Sequence, residues 1–477
     1  MRPYVVLRYV GLILLLNAAF MFLSFFISLY NNDGGQIPLL LSGVLTSLFG
    51  LFPTIFVPKN IEIKTREAYS IVVFSWLVSC LFGMLPFILY GGEFSFANAW
   101  FEAVSGYTTT GSTILKDIEA IPKGILFWRA STHWIGGIGI VLFALVILPS
   151  LGKAKMIISR FEISSLAKEN FHYKTRKTLH VILVVYLGLT LLQTILLMVY
   201  GMSLFDAVTH TFATVATGGF SPKNLSVAHY NSFAIELIIM IFMFLSGIHF
   251  GLLFVTFALR KANLFRSQVV RYYFFSMLAG IVLVAINLKG SVYDSWGEAF
   301  RYSAFQILSV GTTTGFANAD SSVWPPLSIM LITFFTLQCA CAGSTSGGLK
   351  VDRIVIFFQG LRRQFLKLQH PQAVIPVRIN GQPIEEESVD SALLFITFYI
   401  VIVFITAVLL SAMGIDTLTS FSASAATMGN VGPGFGMVGS MSNFALIPDL
   451  GKFLLSINML LGRLEIFGLL LILRLRS

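Results

Sequence analysis

Two short stretches of the sequence combine residue types that could hold an ion stripped of its water. TTTGS occupies residues 108–112 and TTTGF occupies residues 312–316, and each follows a short apolar segment. Glycine adopts positive φ angles and allows a close approach of backbone atoms, so such a loop can turn successive carbonyl oxygens inward. A ring of carbonyl oxygens can replace the hydration shell of an alkali cation. The chemistry that these residues favour is therefore cation coordination by the backbone.

Four loops of this type form an internal repeat. They read AWFEAVSGYTTTGST (99–113), AVTHTFATVATGGFS (207–221), SAFQILSVGTTTGFA (303–317) and FSASAATMGNVGPGF (421–435). Aligned on one glycine each, they superpose Gly111, Gly219, Gly315 and Gly432, which are 108, 96 and 117 residues apart (219 − 111, 315 − 219 and 432 − 315). Such a recurrence indicates one supersecondary unit used four times.

The composition is that of an integral membrane protein. The 477 residues are 56% hydrophobic and only 11% charged, whereas soluble chains carry about 25% charged residues. A membrane-spanning helix needs roughly 20 apolar residues. We predict ten spans, at 4–30, 37–57, 68–90, 125–149, 179–200, 233–259, 272–288, 327–358, 392–413 and 447–473.

Basic residues recur in alternate loops. They follow the second, fourth, sixth and eighth spans and end the chain, for example Lys59, Lys153, Arg260, Arg362 and Arg474. By the positive-inside rule these loops and both termini are cytoplasmic. The net charge of +10 therefore reflects topology and does not indicate a nucleic-acid partner.

The predicted fold is an all-α polytopic membrane protein with four helix–P-loop–helix repeats around a central ion pore and two extra N-terminal transmembrane helices. Irregular backbone at membrane depth must be buried in protein or line a watery cavity, so we expect the loops to meet around one axis. Small residues between membrane helices also improve packing, which is the alternative explanation of each loop. The predicted units are two N-terminal helices (1–67) and pore repeats at 68–178, 179–271, 272–390 and 391–477.

A short helix is predicted before each loop. Asn98, Asp206 and Thr419 lie 13 residues before their glycines and are predicted N-caps, whereas Glu298 lies 17 residues before Gly315. Each helix would point its partially negative C-terminal end at the axis, which favours cations.

The motifs TTTGS, ATGGFSP, TTTGF and GNVGPGFG, within two leading helices and four repeats, resemble the Trk/Ktr/HKT superfamily of potassium transporters and look most like its TrkH-type membrane subunits. The resemblance implies that K⁺ is bound by carbonyl oxygens of a selectivity filter. The filter residues it implies are Thr109, Thr110, Gly111, Thr217, Gly218, Gly219, Thr313, Thr314, Gly315, Asn430, Val431 and Gly432. The Asn-Val pair of the fourth repeat departs from the Thr-Gly pattern, so four-fold symmetry is expected to be approximate.

A Gly/Ser-rich stretch, AGSTSGGLKVDR (342–353), interrupts the eighth apolar run. It fails as a phosphate-binding loop, because Leu349 separates Lys350 from the second glycine of the motif. The resemblance implies a gate beneath the filter, and the alternative is an ordinary glycine kink. The predicted gate residues are Gly343, Ser344, Thr345, Ser346, Gly347 and Gly348, together with Arg463.

Arg463 lies 11 residues before Arg474 (474 − 463), which is roughly 16 Å along a helix and near mid-membrane. A charge there costs about 2.5–3.5 kcal/mol and usually faces a cavity or a partner. An ion pair with Glu102 or Glu236 is one possibility. The resemblance implies the other, an electrostatic barrier below the filter.

Other residues are predicted to be structural. His133, His210 and His249 lack metal-binding spacing and are expected to be packed or hydrogen-bonded. The glycines of WIGGIGI (134–140) are likewise explained by close helix packing, because they allow two helices to approach tightly.

The resemblance implies potassium uptake across the bacterial inner membrane, with K⁺ as the bound substrate ion and no organic cofactor. The resemblance implies a homodimer and a TrkA-type cytoplasmic nucleotide-binding subunit, for which the polar loops 150–178 and 361–390 are the predicted docking surface. A less selective Na⁺/K⁺ transporter is the alternative. A membrane-embedded enzyme is disfavoured because the helices carry no nucleophile–base or paired-carboxylate arrangement, and an alternating-access carrier because the repeats are not inverted.

Overall fold

The computed structural model describes residues 2–58, 65–147, 175–260 and 264–464. These residues are predominantly α-helical, with one short hairpin of strands β1 (Arg378–Ile379) and β2 (Gln382–Pro383). The described helices are α1 (Pro3–Asn31), α2 (Gln36–Phe56), α3 (Thr65–Gly83), α4 (Leu85–Tyr90), α5 (Phe96–Tyr107), α6 (Lys123–Ile147), α7 (Thr175–Val199), α8 (Leu204–Val215), α9 (Phe233–Ser246), α10 (Phe250–Phe257), α11 (Gln268–Leu288), α12 (Trp296–Gly311), α13 (Pro326–Leu337), α14 (Val351–Gln369), α15 (Glu386–Ala412), α16 (Thr417–Met428) and α17 (Asp449–Arg463).

Six stretches among the described residues are long and apolar enough to cross a membrane. They correspond to six of the predicted spans and are Pro3–Asn31, Gln36–Phe56, Tyr69–Tyr90, His180–Val199, Gln268–Leu288 and Glu386–Ala412. The fourth predicted span corresponds to α6. The tenth begins in α17, and its predicted continuation over 465–473 lies outside the described residues.

The sixth predicted span, 233–259, is not one continuous helix. Helices α9 and α10 meet at an angle of 107°. Gly247 ends α9 beside Tyr273, and the side chain of His249 accepts a hydrogen bond from the Leu252 amide to begin α10. The amide of Cys341 donates to the Gly247 carbonyl oxygen at 3.0 Å, so a distant loop satisfies the opened backbone.

The eighth predicted span, 327–358, is interrupted as expected, but over 338–350 and not over 342–353. Helix α13 has 12 residues and ends at Leu337, and α14 begins at Val351. Backbone hydrogen bonds join the two ends of the intervening loop. The Cys339 amide donates to the Leu349 carbonyl oxygen (3.0 Å), and the Val351 amide donates to the Ala340 carbonyl oxygen (3.1 Å). We call residues 338–350 the intramembrane loop.

Four short helices, α5, α8, α12 and α16, hold the positions predicted for them, and they pack in a cyclic order. Each contacts the long segment before it and the helix after it, and also the second helix of the neighbouring repeat. These inter-repeat pairs are α5 with α17, α8 with α6, α12 with α9 and α16 with α13. The first repeat thus contacts the last, and the four units form a closed cycle of contacts.

The predicted N-caps of these helices are wrong by three residues. The capping side chains belong to Ser95, Ser203, Ser295 and Asp416, which accept hydrogen bonds from the amides of Asn98, Asp206, Glu298 and Thr419. The predicted residues therefore occupy the third helical position, where an amide needs such an acceptor. Helix α12 has 16 residues and the other three have 12. This additional turn explains the unusual spacing of Glu298.

Candidate ion-coordinating site

The four glycine loops share one backbone conformation. Each contains two residues with positive φ, separated by one residue. The first is Thr109 (52°), Thr217 (55°), Thr313 (62°) or Asn430 (53°), and the second is Gly111 (84°), Gly219 (83°), Gly315 (78°) or Gly432 (101°). The Asn-Val pair of the fourth repeat therefore does not change the backbone. Positive φ is uncommon for threonine, and its surroundings must maintain it.

The ends of the short helices explain this conformation. In each repeat the amide after the left-handed residue donates to a carbonyl five positions earlier, as from Thr110 to Ser105 (2.9 Å) and from Val431 to Ala426 (2.8 Å). A left-handed residue followed by this bond is the Schellman ending of a helix. The helix end thus directs each chain into its loop.

The loops contact one another in sequence around the ring. A Cβ built on each glycine would collide with a carbonyl oxygen of the next loop, in every case that of the residue just before the next glycine. The distances are 2.2 Å for Gly111 to Gly218, 2.0 Å for Gly219 to Thr314, 1.9 Å for Gly315 to Val431 and 2.6 Å for Gly432 to Thr110. Only glycine fits at these four positions.

The first and last loops are also joined by side chains. Ser112 Oγ donates to the Gly432 carbonyl oxygen at 3.0 Å, and Asn430 Nδ2 donates to Thr110 Oγ1 at 3.0 Å. These contacts join residues about 320 positions apart in sequence.

The backbone of the loops has unused hydrogen-bonding capacity. Among the described residues, no backbone amide donates to the carbonyl oxygens of Thr110, Gly218, Thr314 or Val431. The threonine side chains are fully buried, and in the first loop the hydroxyls of Thr108 and Thr110 lie 2.7 Å apart. Buried carbonyl oxygens without an amide donor are uncommon, and a dehydrated cation is a suitable partner for them.

The intramembrane loop lies against the same ring. The amide of Gly347 donates to Thr313 Oγ1 at 3.3 Å, and a Cβ at Gly347 would lie 2.4 Å from Asn430 Oδ1. Thr345 Oγ1 donates to the carbonyl oxygen of Val215, at the end of the second short helix, at 2.9 Å. The loop therefore contacts the second, third and fourth repeats.

Arg463 binds backbone carbonyls and not the carboxylates considered from the sequence. Its guanidinium donates to Thr345 O at 2.5 Å and to Gly136 O at 3.2 Å, and the residue is 4% exposed. Glu102 is paired instead with Arg129 (2.6 Å), and Glu236 with Arg301 (2.7 Å). In this conformation the ion-pair alternative is wrong, and Arg463 fastens the intramembrane loop to the first repeat.

The structural roles predicted for the histidines and the glycine-rich run are confirmed. His133 Nδ1 lies 2.7 Å from Gly106 O, and its Nε2 accepts from the Phe220 amide at 3.1 Å. A Cβ at Gly136 would lie 1.9 Å from Tyr107 O, so α6 packs directly against the end of the first short helix.

Among the buried cations that sequence reasoning missed, two contact the first short helix, α5. Arg129 is 2% exposed and binds Glu102, while Lys452 is 4% exposed and donates to Asn98 Oδ1 at 2.7 Å. The available signal was a positive charge within a predicted span, because such charges are usually paired inside the protein.

The predicted docking surface is described only in part. Helix α14 extends the eighth segment to Gln369, and the β1–β2 hairpin follows before Glu386 begins α15. The loop 150–178 lies outside the described residues except for the start of α7.

Comparison with known proteins agrees with this architecture. A family model described as "TrkH: Cation transport protein" matches residues 40–476. The chain belongs to the TrkH family. The Trk system potassium uptake protein TrkH of Vibrio parahaemolyticus is 34% identical over 98% of both chains. TrkG of Escherichia coli K12, also a Trk system potassium uptake protein, is 30% identical over 87% of this chain and 86% of its own.

A solved structure extends the similarity to the fold. The crystal structure of the potassium transporter TrkH from Vibrio parahaemolyticus superposes with a TM-score of 0.89 at 32% identity and covers 99% of each chain. The chain is therefore a multi-pass membrane protein of a cation-transport family and not of an enzyme family.

Proposed function

We propose that this chain takes up potassium ions through a selectivity filter made by the four glycine loops. The filter residues are the twelve predicted from the sequence, and the ligands are their backbone carbonyl oxygens. The relatives' name, Trk system potassium uptake protein, supports K⁺ as the transported ion.

The observation that carries this proposal is the closed ring of four equivalent glycine contacts. The glycines adopt φ angles between 78° and 101°, and each lies against a carbonyl of the next loop. Four helix C-termini end at this ring, and their partial negative charge stabilises a cation there. Because the four loops are held this closely, their carbonyl oxygens can replace the water that a cation loses when it enters the ring.

We propose that residues 343–348 and Arg463 close the path beneath this ring. The Arg463 guanidinium is bound to the Thr345 carbonyl and carries a positive charge below the filter, so it opposes the passage of K⁺. Moving the loop requires breaking the bond to Thr345, and the helix break at 247–249 must adjust with it because Cys341 is bonded there.

The remaining sequence-based assignments fit this function. We propose the unit boundaries predicted above, a homodimer in the bacterial inner membrane with cytoplasmic termini, and a TrkA-type nucleotide-binding subunit docked on the cytoplasmic loops. The Trk system names of the relatives support a further component.

The test is ⁸⁶Rb⁺ uptake into proteoliposomes that contain only this chain, with competition by K⁺, Na⁺ and Cs⁺. Uptake inhibited by K⁺ and not by Na⁺ is expected for a filter of this type. Arg463→Ala should increase the basal rate if the resting path is closed, whereas Arg362→Ala, which removes an exposed arginine of α14, should not. Equal inhibition by Na⁺ would favour the less selective transporter. Absence of uptake from both the wild type and Arg463→Ala would refute the filter.

A further inference from the structure

A network of buried polar side chains lies behind the first two glycine loops. Glu102, in the first short helix, accepts hydrogen bonds from Thr113 Oγ1 at 2.9 Å and from the Ile114 amide at 3.0 Å. These two residues directly follow the first loop. Glu102 therefore ties the helix that enters the loop to the segment that leaves it.

Arg129 extends this tie to the second repeat. Its Nε lies 2.6 Å from Glu102 Oε1, and its Nη1 donates to the Ser221 carbonyl oxygen at 3.0 Å. Its guanidinium also lies 3.5 Å from the centroid of the Phe220 ring. Because Glu102 is fully buried and Arg129 is 2% exposed, removing either charge leaves the other without compensation.

His210 occupies the position of Glu102 in the second repeat. Both lie nine residues before their glycine (219 − 210 and 111 − 102), and Ser221 and Thr113 both lie two residues after it. His210 Nε2 lies 3.0 Å from Ser221 Oγ, and its Nδ1 lies 2.8 Å from Asp206 O. The two loops thus have matching ties, and Arg129 joins them.

The other two repeats have different contacts at this position. Gln306, the equivalent residue of the third repeat, contacts Ser321 at 3.4 Å. The fourth repeat has Ala423 there, and the adjacent Ser422 accepts from the Phe435 amide at 2.8 Å instead. The network of Glu102, Arg129 and His210 therefore joins the first and second loops, whereas in the third repeat Asn318 donates to Glu236, which is paired with Arg301.

We propose that Glu102, Arg129 and His210 are positioning residues that fix the spacing of the first two loops and thereby determine the preference for K⁺ over Na⁺. A carbonyl ring discriminates between ions through its size and the field of its oxygens, so it depends on what holds the oxygens in place. A fully satisfied buried polar network provides that rigidity. This inference rests on the proposed filter.

The test measures inhibition of ⁸⁶Rb⁺ uptake by Na⁺ and by K⁺ in proteoliposomes, together with thermal unfolding of the detergent-solubilised protein. Glu102→Gln keeps an oxygen acceptor but removes the charge opposite Arg129. We expect the ratio of the Na⁺ to the K⁺ concentration for half-inhibition to fall about tenfold, equivalent to about 1.4 kcal/mol. Glu67→Gln is the matched control, because Glu67 is also a buried partner of an arginine, Arg2 (2.8 Å), but joins α1 to α3. It should leave the ratio unchanged.

Two milder variants cover the case in which Glu102→Gln does not fold. Thr113→Val and Ser221→Ala each remove one hydroxyl of the network and retain both charges, and each should lower the ratio while the protein stays folded. Unfolding at a lower temperature with an unchanged ratio in every folded variant would overturn the inference and leave the filter intact. A wild type without a preference for K⁺ would instead overturn the proposed function itself.

Discussion

Replacing Gly315 by alanine tests whether the close approach of the four loops sets ion selectivity. The new Cβ would lie 1.9 Å from the Val431 carbonyl oxygen and 3.0 Å from Pro433 Cδ, and ordinary contacts begin at 3.4 Å. The third and fourth loops must therefore separate by about 1.5 Å (3.4 − 1.9). The backbone at φ +78° adds a strain of about 1–2 kcal/mol for a residue with a Cβ.

Gly290 provides a matched control in the same repeat. Its φ is +79°, nearly that of Gly315, and a Cβ there meets nothing within 4 Å. Alanine at Gly290 therefore has the same backbone strain without the collision. Any difference in transport between the two variants measures the effect of pushing the loops apart.

The assay is ⁸⁶Rb⁺ uptake with K⁺ and Na⁺ competition for both variants in matched proteoliposomes. Gly315→Ala should lower the preference for K⁺ at least tenfold, or about 1.4 kcal/mol of discrimination, whereas Gly290→Ala should keep the wild-type preference. If folded Gly315→Ala retained that preference, the contact between neighbouring loops would not be what selects the ion.

Three further predictions concern the gate, the packing and a helix cap. Thr345→Val removes the hydrogen bond to Val215 O, worth about 1 kcal/mol, and should raise basal uptake about fivefold; an unchanged rate would contradict the gate. Gly136→Ala places a Cβ against Tyr107 O and should lower the free energy of unfolding by about 1–3 kcal/mol. Gly188→Ala meets nothing within 4 Å and should not lower it. Thermal unfolding of both variants tests this difference. Hydrogen bonds from Thr419 lower the pKa of the exposed Asp416 cap, so Asp416→Ala should cost about 1 kcal/mol near pH 7. This difference should disappear as the pH falls below about 3.9 and through the lowered pKa; a constant difference would refute the role of the charge.

The sequence predicted the parts of the structure that depend on repetition. Four glycines at one topological position predicted four loops, and the closed ring follows because irregular backbone must be buried together. Even Asn430 keeps the left-handed conformation of its threonine counterparts. The end of each short helix sets this geometry. It requires only that the amide after the left-handed residue donate to the carbonyl oxygen five residues earlier.

The details that were mispredicted depend on contacts between distant residues. Asn98 and Ser95 are both good N-caps by type, and only the packed helix selects Ser95. The bend at Gly247 is stabilised by Cys341, nearly one hundred residues later. On chemical grounds Glu102 and Glu236 are candidate partners of Arg463, one of its two alternatives, but they bind Arg129 and Arg301, and no local pattern reveals such a choice.

The bonds between the first and fourth loops can form only late in the synthesis of the protein. At about 5–20 residues per second, the ribosome needs about 16–64 s to add the 321 residues from Gly111 to Gly432 (432 − 111). Throughout this interval Thr110 lacks the Asn430 side chain that it contacts in the finished protein. The ring cannot close before the fourth loop has been made, so the first loop lacks its contacts with Asn430 and Gly432 until then.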